Sequence, residues 1–126
     1  MYEEALKHHQ WFVENGFDTN TVGAVGEAYA MDYLGMTKAP RGAAGIDGYI
    51  NGRSVSVKTK EHAGHGSGTY AAIGLKQIGL ADDLLLLVLD GAQMQVFGPV
   101  AIADLPYREN KTQRRFFIRD IERAMQ

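Results

Sequence analysis

Gly45-Ile46-Asp47-Gly48-Tyr49-Ile50-Asn51-Gly52-Arg53-Ser54-Val55-Ser56-Val57-Lys58-Thr59-Lys60 is the stretch on which the reading of the fold turns. Asn51-Gly52 stands between two alternating runs. Asn-Gly favours a two-residue hairpin turn, because both central residues of that turn take φ > 0. The pattern predicts one strand over 46–50 and a second over 53–59. Side chains alternate faces along a strand, so Val55 and Val57 point toward a core while Ser54, Ser56, Lys58 and Lys60 point the other way. Lys58 then sits on the polar face of a half-buried strand. Asp47, near the start of the partner strand, can approach it across the pair.

Gly45-Ile46-Asp47, a hairpin, and then Val55-Ser56-Val57-Lys58 resemble the core of the PD-(D/E)XK nuclease superfamily, which has the restriction-endonuclease-like fold. The resemblance covers residues 21–90. It implies that Asp47 matches the first acid and Lys58 the lysine, with Glu27 as the acid of a preceding helix. Ser56 departs from the pattern, since the family usually places Glu, Asp or Gln there. The resemblance further implies a Mg²⁺ or Mn²⁺ cofactor held by Asp47, the backbone carbonyl of Val57 and Glu27, directly or through water. Ser56 offers only a neutral hydroxyl, so such a site carries one negative charge fewer. Lys58 would orient or deprotonate the attacking water, and orientation is the better assignment because a nearby Asp47 opposes the lowered pKa that a base needs. The opposing reading is a surface salt bridge between Asp47 and Lys58, which is worth under about 1 kcal/mol.

Working outward, residues 2–14 read as an amphipathic helix stopped by Asn15-Gly16. Adjacent His8 and His9 diverge on that helix, which is the wrong geometry for a shared metal. A second helix is expected over 22–34, capped by Asn20 or Thr21 and ended by Gly35. Gly23 and Gly26 each cost about 1 kcal/mol inside it relative to alanine, so close packing must compensate. Gly26-Glu27 with Ala30 resembles the acid-bearing first helix of the nuclease family, and an ordinary surface glutamate is the competing reading. Residues 36–44 read as a loop in which Arg41 is a candidate phosphate contact. Residues 61–69 form a glycine-rich loop beside the proposed site. Within it, His62 and His65 are either nucleic-acid or metal contacts, or parts of a polar loop. Lys60 and Lys76 complete the candidate nucleic-acid contacts.

The segment 69–83 fits neither period cleanly, and a short extended piece followed by a helical turn is expected there. Residues 84–89 (Leu-Leu-Leu-Leu-Val-Leu) read as a strand covered on both faces. Asp90-Gly91 turns it into a second hairpin over 93–100, and one helical turn is expected over 101–105. Residues 111–126 are either one helix or a strand through Ile118 followed by a helix from Asp120. Their arginines are a solvated face or, as the lesser reading, phosphate contacts.

The net charge of −2 argues against a strongly basic nucleic-acid binder, yet the charge is unevenly spread. Residues 1–34 carry −5, 35–80 carry +4, 81–107 carry −4 and 108–126 carry +3. The basic excess surrounds the hairpin and the C-terminal segment, where a phosphate backbone would have to lie; chance clustering is the plain alternative. With no cysteine, disulfides and thiolate metal sites are excluded, which fits a reducing compartment. No apolar run spans a bilayer and the N-terminus does not read as a signal peptide, so a cytoplasmic location without membrane contact is expected.

The chain, 126 residues long, thus reads as one α/β domain over 1–126, with a central mixed β-sheet flanked by helices. The function expected is a divalent-metal-dependent nuclease, with DNA ahead of RNA as substrate. The alternative is a catalytically inactive module of the same fold that binds nucleic acid or assembles with protein. A homodimer fits by analogy of fold.

Overall fold

The computed structural model describes residues 1–17, 21–61 and 69–126. Helices α1 (Tyr2–Glu14) and α2 (Val22–Tyr33) come first, followed by β1 (Thr37–Lys38), β2 (Gly48–Ile50), β3 (Arg53–Glu61) and β4 (Tyr70–Gly74). Then come β5 (Asp83–Asp90), β6 (Gln93–Ala101), a 3₁₀ turn (Ile102–Asp104), β7 (Arg108–Glu109), β8 (Gln113–Phe117) and α3 (Ile118–Ala124). The protein is α/β, with a mixed five-stranded sheet ordered β1-β2-β3-β5-β6 and a three-stranded sheet ordered β4-β8-β7. Among the described residues, no helix is long and apolar enough to cross a membrane.

The hairpin forms as its turn chemistry predicts. Asn51 and Gly52 both have positive φ, 53° and 78°, and β2 pairs antiparallel with β3 from Gly48↔Val55 to Ile50↔Arg53. Beyond Val55 the β2 ladder stops, while the other edge of β3 pairs in parallel with β5 from Val55↔Asp83 to Glu61↔Leu89. The guanidinium of Arg53 grips the Asp83 carboxylate with three contacts of 2.8–3.1 Å, tying the hairpin turn to the start of β5. β6 returns antiparallel along the far side of β5, as the Asp90-Gly91 signal indicates.

Alternation along β5 feeds cores on both faces. Leu85 and Leu87 pack with Val55, Val57, Ile50 and Ala30 beneath α2. Leu84, Leu86 and Val88 pack on the other side with Ala71, Ile73, Phe116 and Ile121. Helices α1 and α2 lie on one face; the opposite face is closed by α3 together with the second sheet, an extra layer that the expectation of a sheet flanked by helices did not include. The cause is local: Gly74 and Gly79 break segment 69–83, so it makes β4 and a run of turns over 75–80, and β4 then pairs with β8.

That arrangement also corrects the polar-face reading of β3. Ser56, Lys58 and Lys60 pair with Leu84, Leu86 and Val88, and register partners share a face. They therefore point toward the second sheet, where Ser56 is only 4 % exposed. On the helix side, α2 lies close against β3. A Cβ added at Gly26 would come within 1.8 Å of Thr59 Oγ1, which explains a glycine in mid-helix.

Candidate functional site

Asp47 immediately precedes β2 and is held by its backbone and its side chain together. Its N–H donates to the Val55 carbonyl (2.9 Å), and its own carbonyl accepts from the Ala39 N–H (3.0 Å). Its carboxylate Oδ2 accepts the Val57 N–H at 2.7 Å. The side chain thus occupies the place that the next carbonyl of β2 would take, in the plane of the sheet. The N–H and C=O of one strand residue point to the same edge, so the Val57 carbonyl also faces the open edge of β3 beside Asp47.

Glu27 approaches from the helix side. Burial raises its carboxyl pKa above the usual range, the negative charge of Asp47 raises it further, and Lys38 opposes both. Lys38 pairs with Gly48 in the β1–β2 ladder, which sets it beside Asp47. The sequence pattern places it inside a loop, because a two-residue edge strand is too short to show a period.

Asp47 and Glu27 are therefore brought within electrostatic reach of one another, with the Val57 carbonyl on the same edge. Two neighbouring carboxylates and one carbonyl make a donor set that fits a hard divalent cation, which takes oxygen ligands and keeps several waters. Among the described residues, no group of three or more His, Cys, Asp or Glu side chains converges.

Lys58 enters from the other side of β3. Among the described residues it makes no ion pair with Asp47, because Asp47 turns to the Val57 N–H instead. The simple cross-strand salt bridge is thereby ruled out as the reason for these two residues. Glu61, at the end of β3, is turned away from Asp47: it contacts Nε2 of His9. It lies five residues beyond Ser56 along β3, roughly 16 Å away at strand rise. His9 is only 3 % exposed, and its Nδ1 lies 2.6 Å from Thr21 Oγ1. It ties α1 to the start of α2 and the end of β3, which is a structural task and fits the sequence reading that His8 and His9 do not share a metal.

Arg41 is exposed in the loop before β2. Lys76 lines a groove with Leu75, Gln77, Lys111 and Thr112 that contains neither Asp47 nor Lys58. Lys60 rests its ammonium over the Tyr70 ring, 5.3 Å from the centroid. His62 and His65 lie outside the described residues. No family model matches the chain, and no curated protein matches it in sequence.

Proposed function

We propose that this protein is a divalent-metal-dependent nuclease of restriction-endonuclease-like fold, acting on phosphodiester bonds with Asp47, Glu27 and Lys58 as its working side chains. The observation that carries the reading is the Asp47 carboxylate fixed on the Val57 N–H with Glu27 beside it. The open edge of a strand that is antiparallel on one side and parallel on the other supports it as well. Mg²⁺ or Mn²⁺ bound there would supply charge for the phosphate and acidity for a water. Asp47 and Glu27 would hold the cation together with the Val57 carbonyl. Lys58 leaves β3 on the face opposite α2 and makes no ion pair among the described residues; its ammonium would have to reach round the open edge beside Asp47 to orient the attacking water and hold a phosphate oxygen.

One observation favours the non-catalytic alternative. Ser56, buried on the Lys58 face, cannot provide the second acid of the family pattern. Calorimetric titration with Mn²⁺, wild type beside Asp47→Asn, followed by a cleavage assay on duplex and single-stranded DNA, separates the two. Mn²⁺ binding that vanishes in Asp47→Asn, with cleavage lost in Lys58→Ala, is the expected result. No Mn²⁺ binding by wild type, even with DNA present, would sink the enzyme and leave the binding module.

A further inference from the structure

The second sheet turns a different surface outward from the one it packs on the core. Phe116 and Ala71 are its inward pair. One residue along, Tyr70 pairs with Phe117, and Arg115 pairs with both Ala72 and Arg108, so Tyr70, Phe117, Arg115 and Arg108 share the outer face. Tyr70 and Phe117 contact each other at 5.6 Å. Arg115 lies over Tyr70 at 4.8 Å, Arg108 over Phe117 at 5.7 Å, and Lys60 reaches Tyr70 from β3.

These cations are held but not neutralised. Among the described residues, none of Lys60, Arg108 and Arg115 makes an ion pair. The buried Nε of Arg115 has no hydrogen-bond partner among the described residues. Arg114, on the inner face of the same strand, gives the contrast: its Nε donates to Glu109 at 2.7 Å. Ring contacts orient a guanidinium while leaving its N–H donors unspent. Arg108 also lines a cleft of about 310 Å³ with Phe117, Arg119 and Asp120 without pairing to that acid.

We propose that this outer face of β4-β8-β7, through Lys60, Arg108 and Arg115, holds the phosphate backbone of a nucleic acid. The identity of the ligand rests on the nuclease reading above; the anion site rests on these contacts alone. Guanidinium forks match phosphate oxygens bidentately. The rings already face cations rather than bases, so binding is independent of base sequence. Lys60 lies two residues beyond Lys58 on the same face of β3 and reaches the second sheet at Tyr70.

Binding of the full chain to fluorescent duplex and single-stranded oligonucleotides by anisotropy, in EDTA across a salt series, tests this without any cleavage. We expect Lys60→Gln/Arg108→Gln to weaken binding by on the order of tenfold. It should also flatten the slope of log K against log salt by about two units, one per phosphate contact. Arg115→Gln, checked for folding by its melting curve, should act in the same direction, and Arg114→Gln should bind as wild type. The proposal is overturned by wild type that binds neither oligonucleotide, by a double variant that binds undiminished, or by Arg114→Gln weakening binding equally. Competition by poly-glutamate as strong as by unlabelled DNA would also overturn it, by assigning the face to an acidic protein. Binding that persists in EDTA and depends on this face, with no cleavage when Mn²⁺ is added, would sink the nuclease and spare the surface.

Discussion

Asp47 has two tasks, and substitution can separate them. In Asp47→Ala the Val57 N–H loses its acceptor at a half-buried position, a loss of about 1–3 kcal/mol by the cost of an unpaired donor. Asp47→Asn keeps an oxygen for that N–H and should unfold in urea close to wild type while failing to bind Mn²⁺. Glu27 gives the pH signature. Burial and Asp47 hold its folded pKa above the ordinary value, so the folded state binds that proton more tightly than the unfolded chain. The stabilisation is complete below the ordinary carboxylate range and is lost as pH rises through the folded value. Glu27→Gln should therefore raise the melting temperature at pH 7 and have less effect at pH 4; equal shifts at both would remove the electrostatic account. These pairings were legible only in outline. The spacing of Asp47 and Lys58 named the right strands, whereas the turn of Asp47 onto the Val57 amide depends on where the β2 ladder ends, which no local pattern encodes.

At the scale of elements, the contact between α2 and β3 is the most demanding. Gly26→Ala should gain about 1 kcal/mol of helix propensity and lose more, because the new methyl meets Thr59 and overpacking costs about 1–3 kcal/mol. Among the described residues, the buried Thr59 Oγ1 has no partner, so Thr59→Val should leave stability unchanged or raise it in thermal denaturation. Elements were well marked in the sequence where turn chemistry or helical periodicity was strong. Helix α1, the Asn51-Gly52 turn, the leucine strand and its return over β6 were all legible, and of the two C-terminal alternatives the strand-then-helix form is the one adopted. In segment 69–83 the extended piece and the turn after it were legible but the second sheet was not, because the pairing partner β8 lies about forty residues away and no local period encodes it.

For the whole molecule, the consequence of that distant pairing is a second sheet, with α3, layered on one side of the central sheet and α1 and α2 on the other. Composition predicts the class; it does not say which layer covers Ser56 and Lys58. The charge map by segment acquires meaning here, since the +3 of residues 108–126 is spread over both faces of the second sheet and onto α3, with Arg108 and Arg115 turned outward and Arg114 turned inward. The double character of β3 also sets an order of events in time. Its antiparallel half closes across a two-residue turn, while its parallel half must wait for residue 83 to reach residue 55 across 28 intervening steps of chain, and such closure is slow. Stopped-flow refolding should show Gly52→Ala slowing the folding limb, whereas Leu89→Ala at the far end of the parallel ladder should chiefly hasten unfolding. With that outcome, the hairpin on which the sequence reading turns would also be the nucleus from which the chain assembles.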